Sequence, residues 1–448
     1  MTGRDASGKR VAWVSFLLMA TIVAWPGMSA GADQPYEMPP IDYATSQPDD
    51  PIARLQKRLD SGEAKLVHDI RHGYLPSLLE HLKIPKSSQA LVFSKTSFQH
   101  TKISRTRPRA LYFGDDAYVG WVRGGDVLEV SSVDPKLGAV FYLLDQAEDE
   151  RPKFVRQTHE CLQCHVSPKT MGVPGHFVRS VVPDRTGSPI FSAGTHVTTH
   201  ASPLDRRWGG WYVTGTHGTQ THMGNVASAE TSQGRDADAT LDTAAGANRT
   251  DLESLVNTDP YLTPHSDIVA LMVLEHQTQT HNAITLAGYE SRIALFQQDG
   301  MNKAFNDPPG TMSDGTRRRI EGAAEKLVRQ LLFVEEAKLT DPIVGTTSFA
   351  HDYAGHAARD TKGRSLRDFD LTRRMFKYPC SDLIGSEAFE ALPPPARSRV
   401  YLRLSEILTG KDQSPTFAHL SAEDRRAILE ILRETRKNLP EAFGVPAD

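Results

Sequence analysis

Apolar residues recur along the chain with two different periods, and the change of period divides the sequence into regions. In residues 55–82 they lie three or four positions apart, which predicts one or two short helices broken by Gly73 and Pro76. From Ala90 onward, short β-branched and aromatic runs alternate with turn residues, which predicts a small antiparallel β region. Its predicted strands are residues 90–93, 110–113, 118–122, 127–130 and 140–144.

The helical period returns in the C-terminal half. It predicts helices over residues 266–298, 317–339, 397–408 and 421–432, the last opened by a Ser421 cap. Between the two halves, residues 156–225 are rich in Gly, Thr and His, with candidate strands at 177–182 and 211–214. Residues 226–248 have almost no large apolar side chain.

These patterns predict an α+β fold with a β-rich N-terminal part, an irregular middle segment and a helical C-terminal part. The predicted divisions are 33–155, 156–225, a linker or mobile loop at 226–250, and 251–448, and they can share one core. Residues 33–50, rich in Pro, Asp and Gln, are predicted to form a flexible leader.

The first 32 residues are typical of a secretory signal peptide. Lys9 and Arg10 precede an apolar run of 15 residues, 11–25, which Pro26 ends, and residues 30–32 read Ala-Gly-Ala. The run is short for a membrane span, which needs about 20 residues. We therefore expect a periplasmic or otherwise exported protein with no transmembrane span in the mature chain.

The composition argues against two classes of protein, nucleic-acid-binding proteins and disulfide-rich scaffolds. Of the 448 residues, 39% are hydrophobic and 24% are charged, which is ordinary for a globular protein. Without the first 32 residues the chain has 48 basic and 54 acidic residues, so nucleic acid is not an expected partner. Three cysteines in an exported chain of this length do not make a disulfide scaffold.

Two of those cysteines belong to the sequence Cys161-Leu-Gln-Cys164-His165, a C-x-x-C-H motif. This is the attachment signature of haem c. Two thiols three residues apart can form thioethers with the two vinyl groups on one edge of a porphyrin, and the next residue places an imidazole under the iron. We therefore predict one covalent haem c on Cys161 and Cys164, with His165 as an iron ligand.

Two other uses of paired cysteines fit less well. A thioredoxin-like pair usually opens a helix in a βαβ unit, and the pattern contains no such unit. A structural zinc site needs four ligands, and no second C-x-x-C occurs.

The motif resembles that of c-type cytochromes. A wider pattern resembles a group of exported single-haem proteins of environmental bacteria, a resemblance that implies a haem cofactor but no activity. The segments that carry it are residues 112–113, 118–121, 209–218, 222–225, 362–366 and 378–381.

The sixth iron ligand is expected from the Gly-rich segment 215–225, because it offers His217, His222 and Met223 within seven residues. An open or water-ligated position stays possible. Further candidates considered are Met171, His176, His196 and His200.

For the other polar residues, both a functional role and an ordinary structural role fit the sequence. His196 and His200 could bind a second metal, Arg206 and Arg207 could neutralise haem propionates, and Cys380 could be a buried thiol, a crosslink or an iron ligand. Glu275, His276, Gln277 and His281 lie on a predicted helix, where solvated or interhelical polar contacts are expected. The two histidines, about 140° apart around the helix, make a poor chelating pair.

The predicted function is periplasmic single-electron transfer to or from exported redox proteins. The alternatives are a haem enzyme, peroxidase-like or acting on a small inorganic or sulfur compound, and a haem-based sensor.

Overall fold

The structure is a computed structural model that describes residues 34–229, 240–437, 439–440 and 443. The predicted signal peptide, residues 1–32, lies outside the described residues, and so does the central part of the predicted linker, residues 230–239. From Pro35 onward the chain forms one compact unit.

Ten described strands follow one another along the chain. They are β1 (Ala90–Val92), β2 (Arg109–Phe113), β3 (Ala117–Val122), β4 (Val127–Asp134), β5 (Gly138–Asp145), β6 (Phe154–Gln157), β7 (Val178–Val181), β8 (Thr195–Thr198), β9 (Gly215–Thr216) and β10 (Val344–Gly345). The first six form one antiparallel sheet in the order β1-β2-β3-β4-β5-β6. All five strands predicted in this region are confirmed. From β2 to β5 the strands are joined by turns of three or four residues, at 114–116, 123–126 and 135–137, so their pairing needs only local signals.

The described helices occupy mainly the C-terminal half. They are α1 (Pro51–Asp60), α2 (Leu75–His81), α3 (Leu162–His165), α4 (Thr243–Gly246), α5 (Ile268–Phe305), α6 (Asp314–Leu331), α7 (Phe349–Gly355), α8 (Glu387–Glu390), α9 (Pro394–Leu408) and α10 (Ala422–Thr435). With a sheet in one half and helices in the other, the fold is α+β, as predicted.

Strand β3 is buried along its whole length because both faces of the sheet are covered. Val119 packs in a core with residues of α1 and α2, whereas Tyr118 belongs to the core built around α5. Helix α5 has 38 residues and begins at Asp267, whose carboxylate accepts hydrogen bonds from the backbone of Val269 and Ala270. It therefore forms one wall behind the sheet.

Several local expectations were wrong. Pro76 does not break a helix but lies at its start, where the missing N–H costs nothing. Helix α6 ends at Leu331 rather than near residue 339, since Phe333 and Glu335 have positive φ and turn the chain away. Residues 211–214 are not a strand and make isolated bridges instead.

The predicted flexible leader is packed in its described part. Ile41 and Tyr43 are buried, and the Tyr43 hydroxyl donates to the carbonyl of Ala139 on β5. Buried Asp50 caps α1 and accepts hydrogen bonds from Ser132 and Tyr142. The polar composition of this segment thus serves capping and contacts with the sheet.

In the part of the chain that the structure describes, no helix has both the length and the apolar character needed to cross a bilayer.

Candidate functional site: the C-x-x-C-H turn and the polar groups behind it

The C-x-x-C-H motif forms a single helical turn, α3. The carbonyl of Cys161 accepts hydrogen bonds from the backbone N–H of Cys164 at 3.2 Å and of His165 at 3.0 Å. Residues three and four positions apart share one face of a helix. Cys161, Cys164 and His165 therefore project from the same side, while Leu162 is buried and anchors the turn.

The surroundings of His165 determine which ring nitrogen is available. Its Nδ1 lies 2.8 Å from the carbonyl oxygen of Gly175, which can only accept a hydrogen bond. Nδ1 therefore carries the hydrogen, and the lone pair of Nε2 is available to a metal. Burial lowers the pKa of His165 and so disfavours the charged form of the ring. A metal-binding histidine usually has this partner on its second nitrogen.

Aromatic side chains surround this imidazole. Ring centroids of Phe141 on β5, Phe177 just before β7, and His176 lie 4.6, 5.3 and 6.4 Å from that of His165. His176 is itself buried, with Nε2 2.8 Å from the Ser131 hydroxyl. His176 directly follows Gly175, whose carbonyl contacts Nδ1 of His165. The backbone of His176 therefore lies on the Nδ1 side of the His165 ring and not on the Nε2 side, which is the side available to a metal.

The two motif cysteines differ in exposure, and both are free thiols. Cys164 is exposed, whereas Cys161 is half-buried and burial raises its pKa to about 11. Within the described ranges, no three His, Cys, Asp or Glu side chains come together as ligands for a bare metal ion. Haem supplies four nitrogen ligands itself, so one imidazole and two accessible thiols on one face fit a covalently attached haem.

Strand β7 separates the motif from the predicted sixth ligands. Side chains alternate along a strand, so Phe177 and Arg179 lie on one face and Val178 and Ser180 on the other. Phe177 faces His165, whereas the Ser180 hydroxyl donates to the sulfur of Met223 at 3.6 Å. Met223 thus lies on the opposite side of β7 from His165.

The two histidines of the same segment lie together. His217 and His222 are buried with ring centroids 4.8 Å apart, and His222 also contacts Trp208. The Nδ1 atom of His222 accepts from the N–H of Gly224, and desolvation by burial lowers its pKa to about 3. The structure does not bring these rings beside His165, whose ring neighbours are those given above.

The remaining candidates are dispersed. Met171 and His196 are exposed, and His200 is buried against His276, so His196 and His200 do not form a pair. Arg206 is exposed, whereas Arg207 is buried in an ion pair with Glu275. Cys380 is fully buried, and burial raises its pKa to about 12.

Sequence reasoning missed how completely the polar stretch of α5 is buried. Residues 275–282 are all inside the molecule, and several of them, among them His276 and Gln277, bond to other elements. His276 Nδ1 lies 3.1 Å from His200 Nδ1, and its Nε2 lies 2.9 Å from the Ser381 hydroxyl. The signal for this burial was available in the sequence, as eight consecutive polar residues between apolar turns of one helix. Such a run is distributed around the whole helix and is not confined to one solvent-facing side, so some of its polar side chains must be buried.

A second network on α5 starts at Tyr118. Gln277 donates to the Tyr118 hydroxyl at 3.0 Å, and that hydroxyl lies 3.1 Å from His281 Nδ1. Tyr118 therefore donates to Nδ1, and the hydrogen of His281 is on Nε2, which lies 3.6 Å from Asp116 Oδ1. Desolvation lowers the pKa of His281 to about 3, so this ring is neutral.

Asp116 lines a cavity of about 610 Å³ between α1, α2, α7 and the turn before β3. The Tyr118 ring also lies 4.3 Å from that of His176, the neighbour of His165. A continuous series of contacts therefore joins this cavity to the motif histidine.

No family model, curated protein or solved structure matches this chain.

Proposed function

We propose that this protein is an exported c-type cytochrome that carries one haem c and transfers single electrons. The observation that carries the proposal is the C-x-x-C-H turn, in which both thiols and the imidazole share one face and His165 Nδ1 donates to Gly175. The haem, when bound, supplies an iron that changes its charge by one electron. Partners would be exported redox proteins.

In this proposal each residue of the chain has a defined task. Cys161 and Cys164 hold the porphyrin edge through thioethers, so the cofactor stays bound although Cys164 is exposed. His165 presents a neutral Nε2, and the carbonyl of Gly175 fixes its orientation and increases its basicity. Phe141 and Phe177 pack beside the imidazole and limit the access of water to it.

The sixth ligand remains a prediction, with His222 and Met223 as its candidates. Met223 would have to reach the iron around β7, because it contacts Ser180 on the far face, whereas His222 packs against His217 and Trp208. Replacing His217, His222 and Met223 singly by Ala distinguishes them. Loss of the low-spin spectrum in one variant identifies the ligand, and a high-spin spectrum of the unmodified protein indicates none.

The direct test is the mass of the mature chain made with a cytochrome c maturation system. We expect the polypeptide mass plus one haem, and Cys161→Ala with Cys164→Ala should abolish the increment. Cys380→Ala is the matched control and should retain it, since that thiol is buried away from the motif. A zinc ion or an unmodified mass in the native chain would contradict the proposal.

Export is tested separately by N-terminal sequencing of material recovered outside the cytoplasm. The signal pattern predicts a mature start near Asp33. An intact Met1 in a cytoplasmic fraction would contradict export.

A haem enzyme is the second candidate, and one observation favours it. The Asp116 cavity is joined to His165 through His281, Tyr118 and His176, and a pure electron carrier has no need of such a cavity. Cyanide and carbon monoxide separate the two functions, because a carrier with two protein ligands resists them and an enzyme with an open iron binds them.

A further inference from the structure

The cavity at Asp116 combines an apolar body with polar groups at one end. Phe113, Phe349 and Tyr353 form neighbouring rings, with centroids 5.5 Å apart for the first two and 5.7 Å for the last two. All three line the cavity, and Leu55 and Leu79 do as well. A volume of about 610 Å³ lies in the range of small-molecule sites, about 300–1,000 Å³.

Several of the charged groups that line the cavity are already engaged in ion pairs or hydrogen bonds, while Arg58, Glu80 and Lys83 add further charge to its lining. Arg367 forms ion pairs of 2.9 Å with Asp115 and with Asp382, which does not line the cavity, and its guanidinium lies 4.5 Å from the Tyr353 ring centroid. Asp352 accepts hydrogen bonds from Ser87 at 2.7 Å and Ser348 at 2.8 Å. These groups shape the wall but have little capacity for a charged ligand.

Asp116 differs from these residues. Its side chain is 30% exposed, into the cavity, and its neighbour at the back is the Nε2–H of buried His281 at 3.6 Å. In the described part of the chain no Lys or Arg lies within ion-pair distance of it. One side of the carboxylate therefore faces a neutral imidazole beyond hydrogen-bond distance, and its oxygens can accept a hydrogen bond from a ligand.

We propose that this cavity binds a small neutral aromatic molecule with a hydroxyl group, a phenol or naphthol, whose O–H donates to Asp116. The ring would pack among Phe113, Phe349 and the leucines. An anion would meet the Asp116 carboxylate, and a cation would have to be desolvated near Arg367. A neutral hydroxyl avoids both penalties.

This site is independent of the proposed haem, since every residue in it belongs to the cavity wall or to α5. The proposal therefore stands or falls on binding, which can be measured with or without attached cofactor.

The test uses the full chain and three fluorescent or absorbing probes that differ in one group. They are 2-naphthol, 2-methoxynaphthalene, which lacks the donor, and 2-naphthoate, which is an anion. We expect 2-naphthol to bind about tenfold or more tightly than 2-methoxynaphthalene, the value of one hydrogen bond to a charged group. The preference should be the same in the Cys161→Ala, Cys164→Ala double variant.

Two variants locate the acceptor. Asp116→Ala should abolish the preference for 2-naphthol but retain the affinity for 2-methoxynaphthalene, which also shows that the cavity is folded. Glu290→Ala removes a carboxyl group that does not line the cavity and that pairs with Arg319, and it should leave both affinities unchanged. Equal binding of the two neutral probes, tighter binding of 2-naphthoate, a preference that survives in Asp116→Ala, or no binding at all would overturn the proposal.

Discussion

Two short polar stretches on helices, residues 161–165 on α3 and 275–282 on α5, lie in opposite environments. The α3 turn is held by buried Leu162 and displays a thiol at the surface. The α5 stretch is enclosed on all sides, and Glu275 is fully buried. In the proposed function the first stretch must be reached from outside for haem to be attached, whereas the second bonds mainly to the protein itself. Polarity in a sequence therefore does not tell a reactive site from an internal network.

The largest change in unfolding free energy is expected from the buried ion pair on α5. Glu275→Ala leaves Arg207 without its partner in the interior, and breaking a buried ion pair costs about 3–5 kcal/mol. Urea unfolding of the chain measures this loss.

Glu290→Ala is the matched control for Glu275→Ala. It removes another carboxylate of α5 that pairs with an arginine, Arg319, but both side chains are about one-third exposed, at 34% and 36%. A loss of less than about 1 kcal/mol is expected there. If the two variants lose similar amounts of unfolding free energy, burial does not distinguish the internal ion pair of Glu275 from the surface ion pair of Glu290.

A smaller effect is expected from Asp116, with a definite dependence on pH. Desolvation, and then the charges of Asp115 and Glu387, raise its pKa from 3.8 to about 6, against the opposing effect of Arg54 and Arg367. Between these values the folded state binds more protons than the unfolded state, so this group makes the protein less stable as pH rises. Asp116→Asn should therefore be more stable than the native chain by up to about 3 kcal/mol at pH 8 and no more stable at pH 4.

Asp352 gives the control of opposite sign for this pH dependence. Burial acts to raise its pKa, but hydrogen bonds from Ser87 and Ser348 outweigh that effect and lower it. Its contribution to stability is present at neutral pH and is lost on acidification. Asp352→Asn should accordingly be less stable than the native chain at pH 8 and at pH 4, and the difference should shrink only as pH falls below 3.8. Unfolding curves at pH 8 and pH 4 measure Asp116→Asn, and a further curve at about pH 3 measures Asp352→Asn. A gain in Asp116→Asn that is the same at pH 8 and pH 4 would contradict the assignment.

The smallest effect concerns thiol reactivity, with no change in stability. In the chain made without haem attachment, a maleimide should label exposed Cys164 first and half-buried Cys161 more slowly, since burial raises the pKa of Cys161 to about 11. Cys380 should react only after unfolding. Mass spectrometry of timed samples, with Cys380→Ala as reference, measures the order in which the thiols are labelled. Early labelling of Cys380 would contradict its burial.

Local signals were sufficient for much of the fold. The strands from β1 to β5 alternate with clear turns, and α10 begins at Ser421 with a capping box to Asp424. Strands β6 and β8 were missed, because Phe154–Gln157 and Thr195–Thr198 have few apolar residues and depend on pairing with β5 and β7.

In the candidate site, too, some features followed from the sequence and others only from the tertiary structure. By itself the sequence predicted the chemistry of Cys161, Cys164 and His165 from their spacing, but it assigned them to an irregular segment and not to the helical turn that the structure shows. Only the tertiary structure decided that Gly175 directs the imidazole, that β7 lies between the motif and Met223, and that Tyr118 meets His281. Tyr118 and His281 are 163 residues apart along the chain. Contacts at that separation follow from how the sheet packs on α5, and a periodic pattern reports the neighbours of each residue along its own element but not its partner across the core.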